Sequence, residues 1–295
     1  MATAKGQVPV AHCNVKDWLQ ENEKFFLPPV CNKLMYNDQQ KIMFVGGPNQ
    51  RKDYHLEEGE ELFYMIKGDM CLKVVEQGKH RDIPIKEGEL FLLPGRIPHS
   101  PQRQSDTIGL VIERERTETE MDGLRYFVEK DGKPTMEPLF EKWFHCEDLG
   151  TQLGPIIKEF FASEQCKTGK SVPGTIPEKT PFEIDTSRKL EEPFLLSDWL
   201  TKNENEIETK GIKRVFGDGY QFTVDVLGPG EEQESWDGGE IWLWQLHGES
   251  TAVVDGTKYK LKVQDSLRIP PNTQYSIVRG AGSKLMKVIQ DPRRK

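Results

Sequence analysis

At 295 residues and a formal net charge of −8, the chain has room for two ordinary domains and no basic excess with which to neutralise phosphates, so a nucleic-acid-binding protein is not expected. No run approaches the ~20 apolar residues of a membrane span, and the opening MATAKGQVPVAHCN lacks the apolar core of a secretory signal. Cys13, Cys31, Cys71, Cys146 and Cys166 are odd in number with no CxxC pair, which predicts free thiols in the cytosol rather than a disulfide framework or a zinc site.

The first pattern along the chain is helical, VKDWLQENEKFF. Strand-like runs follow: KIMFVG, ELFYMI, MCLKVVE, ELFLLP and TIGLVIER. All are rich in β-branched and aromatic residues and are punctuated by Gly, Pro or Asp. A second helical pattern, PIIKEFFASEQ, precedes CKTGKSVPGTIPEKTPFEIDTSRKLEEP. That stretch has no sustained periodicity and reads as a linker, or alternatively as a long functional loop. SDWLTKNENEI predicts a third helix with Ser197 as N-cap, and the strands QFTVDVL, EIWLWQL, STAVVDG, KYKLKV, DSLRIP and YSIVRG complete the chain.

The halves resemble each other. Asp17-Trp18-Leu19 recurs as Asp198-Trp199-Leu200, a shift of 181 (198 − 17), and Gly68 after LFYMIK matches Gly248 after WLWQLH, a shift of 180 (248 − 68). Pro94 matches Pro270 or Pro271, a shift of 176 or 177. Landmarks in one order at near-constant offset predict a duplicated β-barrel, each copy preceded by a helix.

The first half holds His55, then Glu61 six residues on at the start of an apolar strand, and later His99. Two imidazoles and one carboxylate from separate strands suit a facial three-ligand iron site, with open positions opposite for substrate and oxygen. The bland reading of a lone strand histidine is a hydrogen-bonded structural residue. Glu57, Glu58 and Glu60 read as a solvated turn, and His12, His80, His145 and His247 have no partners at ligand spacing.

This spacing resembles the two motifs of the cupin superfamily. His55, Glu61 and Gly68 fit the first motif, with Glu57 where a second His is usual and Asn49 where the leading Gly is usual. Gly88, Pro94 and His99 fit the second motif, with Arg96 and Arg103 replacing Gly and Asn. The resemblance implies a mainly β fold of two cupin (double-stranded β-helix, jelly-roll) barrels in tandem with a few peripheral helices. It divides the chain into a catalytic domain at 1–168, a linker at 169–190 and a degenerate metal-free domain at 191–295.

More specific strings, PPVCNKLM, VGGPN-x-RKDYH, EEGEELFY, FLLPGRIPHSPQR, GLVIER, DGLRY and FEKWF, resemble the animal 3-hydroxyanthranilate 3,4-dioxygenase family through nearly the whole chain. That resemblance implies an Fe(II) enzyme opening the ring of 3-hydroxyanthranilate with O2, with His55, Glu61 and His99 as iron ligands. It implies Arg103 on the substrate carboxylate and Glu113 on the ring substituents, Arg51 beside dioxygen, and Asn32 and Glu61 at the substrate. On residue type alone Glu113 could instead pair with Arg114 or Arg116 at the surface, and Arg51 and Arg103 could be exposed cations.

In the second half Ile241 takes the place of Glu61, Tyr275 or Ser276 that of His99, and no His lies between 146 and 246, so no metal is expected there. Trp236, Trp242 and Trp244 are read as alternating along a strand, so that Trp242 and Trp244 share one face and either fill a core or line a pocket. A monomer is expected, the second barrel standing in for a dimer partner, with no nucleic acid or membrane among its partners. Competing functions are another cupin metalloenzyme (an isomerase or thiol dioxygenase) and a non-enzymatic two-barrel regulator.

Overall fold

The computed structural model describes residues 8–28, 31–147, 149–236 and 238–290; the extreme N-terminus, on which the expectation of no leader partly rests, lies outside them. In chain order come β1 (Ala11–Asn14), α1 (Val15–Glu21) and a 3-10 turn (Glu23–Phe26). The first barrel follows as β2 (Asn32–Asn37), β3 (Gln40–Gly46), β4 (Tyr54–Leu56), β5 (Glu61–Lys67), β6 (Met70–Glu76), β7 (Lys79–Ile85), β8 (Glu89–Leu93), β9 (His99–Arg103) and β10 (Ile108–Arg114). A hairpin, β11 (Asp122–Lys130) and β12 (Lys133–Phe144), leads to α2 (Leu149–Ala162) and α3 (Glu164–Thr168). Next are β13 (Phe194–Leu195), α4 (Leu196–Lys202) and α5 (Glu204–Lys210). The second barrel is β14 (Ile212–Arg214), β15 (Phe222–Leu227), β16 (Gly230–Trp236), β17 (Ile241–His247), β18 (Ser250–Val254), β19 (Thr257–Leu261), β20 (Asp265–Ile269), β21 (Thr273–Arg279) and β22 (Lys284–Gln290).

The first barrel is built from sheets ordered β13-β8-β5-β10-β3-β2 and β12-β11-β4-β9-β6-β7. The second is built from β1-β20-β17-β22-β15-β14 and β16-β21-β18-β19. Apart from the hairpin β11–β12, which has no counterpart, the orders correspond: β5 to β17, β8 to β20, β9 to β21 and β10 to β22. Turn chemistry repeats too. Gln77-Gly78 between β6 and β7, and Asp255-Gly256 between β18 and β19, all have positive φ, as two-residue hairpins of the favoured twist require.

Contacts divide the chain into Met1–Glu23, Asp38–Gln40 and Ser197–Lys295 on one side and Lys24–Asn37 and Lys41–Leu196 on the other. The leading strands follow that division rather than the order of the sequence. β1 pairs with β20 (Cys13↔Ser266), whereas β13 pairs with β8 (Phe194↔Leu90). Each copy thus donates its leading strand to the other copy's sheet, covering an edge that would otherwise present unpaired backbone groups. The stretch read as a linker is tied to the first barrel: Leu190 N–H donates to Glu76 at 2.6 Å, and its side chain is buried in that barrel's core. Asp185 N–H donates to Arg96 O at 3.0 Å, and Phe182 packs edge-on against Trp143.

Alternation along β5 sends Glu61, Phe63 and Met65 inward. Phe63 and Met65 join Leu72, Val74, Phe91 and Val111 in a dry core beneath the polar end. α4 begins at Leu196, two residues ahead of a start at Asp198, so Ser197 lies inside the helix and is not its N-cap; in α1 the N-cap is Asn14, which accepts from Asp17 N–H at 3.2 Å. Trp242 and Trp244 are buried, but on the face of β17 opposite the core residues Ile241 and Leu243, while the side chain of Trp236 is outside the described ones. All five cysteines are unbridged. Among the described residues no helix is long and apolar enough to cross a membrane.

Candidate metal centre

Strands β4 and β9 pair at one position, His55↔His99, and β5 begins at Glu61, so the fold brings three distant residues to one barrel end. The imidazole rings lie 5.3 Å apart. His99 Nε2 is 2.6 Å from Glu61 Oε1, and His55 Nδ1 is 3.7 Å from the same oxygen. The other ring nitrogens are committed elsewhere: His55 Nε2 to Asp122 Oδ2 at 2.7 Å and His99 Nδ1 to Ile97 O at 3.0 Å. Such outer bonds fix the tautomer and turn one nitrogen of each ring toward the shared point. With Glu57 included, donor atoms of four buried residues lie within 4.8 Å of one another, a set able to hold a metal ion.

Glu57 corrects the solvated-turn expectation. Glu57 and Glu60 are both 3% exposed, and Glu57 pairs with Arg116 at 2.6 Å; Glu58 alone faces outward, bonded to Arg96 at 3.0 Å. Burial, with Glu113 and Glu61 nearby, outweighs Arg116 and pushes the Glu57 carboxyl well above the ordinary range. Burial would also raise Glu61, but His99 and the bonds from both imidazoles hold it well below. Burial opposes charge on His55, yet its bonds to Asp122 and Glu61 lift it to about 9. Two neighbouring carboxyls driven apart and a basic imidazole mark a site built for a cation.

A cavity of about 300 Å³ opens over this cluster, and Asn32, Arg51, His55, Glu61, His99, Arg103 and Glu113 all line it. Its remaining wall is largely apolar, from Met43, Val45, Phe63, Val111, Leu153 and Ile157. Arg103 is 2% exposed, and its Nε and Nη2 have no hydrogen-bond partner. Burial, with Arg51 close by, lowers its pKa to about 10. Its backbone is anchored by a reciprocal pair of bonds with Asn49, at 2.9 and 2.8 Å. Arg51 is ion-paired with Asp53, which outweighs the burial penalty and raises its pKa. Gln102 clamps the Arg51 backbone from both sides, at 3.0 and 2.9 Å.

Glu113 does pair with Arg116, at 2.6 Å, but buried rather than at the surface; Arg114 instead forms a two-pronged bond with Glu120 at 2.7 and 2.6 Å. Of the two motif arginines, Arg96 stands at φ +65° and faces outward, and only Arg103 reaches the site. Sequence reasoning missed Asp53, Gln102 and Asp122, and it named Arg116 only as a surface partner for Glu113. Glu57 carried a signal, its position where cupins place a second His.

Fold and donor set together define a two-barrel cupin with, among the described residues, one group able to hold a metal ion. A family model for 3-hydroxyanthranilic acid dioxygenase matches residues 8–161. A 3-hydroxyanthranilate 3,4-dioxygenase of Xenopus laevis is 54% identical over 95% of this chain and 97% of its own length. The human one is 51% identical over 94% and 96%, and that of Nematostella vectensis 52% over 93% and 97%. The chain belongs to the 3-hydroxyanthranilic acid dioxygenase family. A solved salicylate 1,2-dioxygenase of Pseudaminobacter salicylatoxidans shares the fold at a TM-score of 0.57 and 14% identity, over 98% of this chain and 86% of the other.

Proposed function

We propose that the protein is an Fe(II)-dependent ring-cleaving dioxygenase that converts 3-hydroxyanthranilate and O2 to 2-amino-3-carboxymuconate semialdehyde, on the kynurenine route towards quinolinate and NAD. The observation that carries the substrate is the unpaired, buried guanidinium of Arg103 on the wall that also bears the His–His–Glu set. A buried cation without partners is costly unless a ligand supplies them, and a guanidinium matches a carboxylate with two parallel hydrogen bonds.

The residues fit the metal: His55, Glu61 and His99 would hold it, through Nδ1, carboxylate and Nε2, since the other imidazole nitrogens are bonded elsewhere. Bound there, Fe(II) supplies a template for the substrate's adjacent hydroxyl and amino groups and the electronic access to O2 that side chains lack. Arg103 orients the aromatic ring by its carboxylate, and the apolar wall excludes water from the ring faces. Glu113, on the same wall, accepts a hydrogen bond or proton from the ring substituents. Arg51, steadied by Asp53 and Gln102, places positive charge where negative charge develops on dioxygen. Asn32 completes the polar wall.

Loading metal-free protein with Fe(II) under anaerobic conditions, then adding 3-hydroxyanthranilate and air, should produce the absorbance of the ring-opened product. Absence of oxygen-dependent absorbance would favour another cupin metalloenzyme or a regulator. We also read the protein as a cytosolic monomer, supported by five unbridged cysteines and by two barrels within one chain. A sedimentation coefficient that rises with concentration would count against the monomer.

A further inference from the structure

Arg116 does not line the cavity, yet its side chain is 3% exposed and touches three carboxylates. Its Nη1 donates to Glu113 Oε2 at 2.6 Å, and its Nη2 lies 2.6 Å from Glu57 and 2.9 Å from Asp122. Its Nε lies 3.2 Å from Asp122 Oδ1, and Nη1 also reaches Arg114 O at 3.1 Å. Burying an arginine among carboxylates is a poor source of stability compared with apolar packing, so the arrangement calls for another reason. Its partners supply one. Asp122 accepts the bond from His55 Nε2 at 2.7 Å that leaves Nδ1 facing the donor cluster. Glu113 stands on the cavity wall. One guanidinium therefore fixes both a carboxylate behind a ligand histidine and a carboxylate beside the substrate.

We propose that Arg116 is a positioning residue that couples the grip on the metal to the grip on the substrate, acting on His55 through Asp122 and on the substrate through Glu113. The substrate half rests on the function proposed above; the metal half does not. A planar fork is needed because the partners diverge. An ammonium at that place satisfies one or two of them and lets the others turn.

The test compares Arg116→Lys, Asp122→Asn, Glu113→Gln and the Arg116→Lys/Asp122→Asn double variant. Fe(II) affinity is read by anaerobic competition with a chelator, without substrate or turnover, and 3-hydroxyanthranilate binding by anaerobic titration of the iron-loaded protein. Arg116→Lys should weaken iron by about 10–100-fold, the usual cost of losing an outer partner of a ligand, and weaken substrate as well. Asp122→Asn should weaken iron alone, Glu113→Gln substrate alone. The double variant should hold iron no worse than the weaker single variant, because both changes act on the same His55 bond. Normal iron affinity in Arg116→Lys, with only its melting temperature lowered, would overturn the proposal, as would fully additive losses in the double variant. Should Arg116→Lys fail to fold, the near-isosteric Asp122→Asn carries the test, and unchanged iron affinity there would overturn it. Failure of the unaltered protein to bind 3-hydroxyanthranilate would sink the substrate reading while leaving the iron comparison decisive.

Discussion

The same barrel position has been finished in two ways. In the first barrel the inward ends of β5, β9 and β10 carry Glu61, His99, Arg103 and Val111; at shifts of 180 (241 − 61) and 176 (275 − 99, 279 − 103, 287 − 111) the second carries Ile241, Tyr275, Arg279 and Lys287. There Lys287 Nζ lies 2.5 Å from Glu232 Oε1 and 3.3 Å from Tyr275 Oη, so a cation anchored to a strand stands among the polar groups. Arg279 Nε donates to Gly228 O at 2.6 Å, and its Nη1 lies 3.5 Å from Glu232. Arg103, at the matching strand end, leaves two buried nitrogens unbonded. Equal topology with opposite satisfaction of the polar atoms separates a scaffold from a site: the second barrel answers its own charges, and the first leaves them for ligands.

The harshest way to break this contrast is through the ligands. Glu61→Ala should cost more than the ~100-fold in metal affinity that outer-partner changes cost, and purified protein should contain almost no iron. The reciprocal change, Ile241→Glu, should bind no second equivalent, because Tyr275 stands where His99 would be needed, no histidine stands in the place of His55, and Lys287 sets a competing cation beside it. Metal analysis of both variants decides, and a second equivalent in Ile241→Glu would end the comparison. Next in size, Arg103→Ala should raise KM on the order of 100-fold, since losing one partner of a desolvated charge pair costs roughly 2–5 kcal/mol. Iron content should stay normal in that variant; its loss would show that Arg103 supports the metal rather than the substrate.

Lys287→Met probes the self-satisfied barrel. Truncating one partner of a buried pair costs ~3–5 kcal/mol, but Glu232 keeps Tyr275 at 3.1 Å and Arg279 nearby, so the loss should be smaller. A drop of about 2 kcal/mol in urea denaturation, with KM and iron content unchanged, is expected. A changed KM would mean that the second barrel is not merely a scaffold.

Local pattern made much of this legible. Runs rich in β-branched and aromatic residues, such as ELFYMI and EIWLWQL, marked strands, the recurrence of Asp17-Trp18-Leu19 marked the duplication, and motif spacing located His55, Glu61 and His99. What stayed hidden depends on long-range pairing. Asp122 lies 67 residues from His55, and only the register of β11 on β4 brings them together. β1 and β13 are too short to announce a partner, so their exchange between the barrels left no trace in periodicity. Glu57 was misjudged because a run of glutamates looks solvated, and only the three-dimensional presence of Arg116 makes its burial tolerable.

An effect no larger than that of Lys287→Met, but of opposite sign, sharpens the contrast most. If Arg103 is kept for a ligand, it must be a burden to the protein without one. Burial lowers its pKa to about 10 from an ordinary 12.5, so the folded state disfavours its charge, and that penalty is fully present at neutral pH. Arg103→Met, similar in volume and uncharged, should therefore stabilise the substrate-free, iron-loaded protein by about 2 kcal/mol at pH 8. Melting of the two proteins in urea at pH 8 reads that difference directly. A destabilised Arg103→Met would mean that Arg103 is satisfied within the fold as Arg279 is.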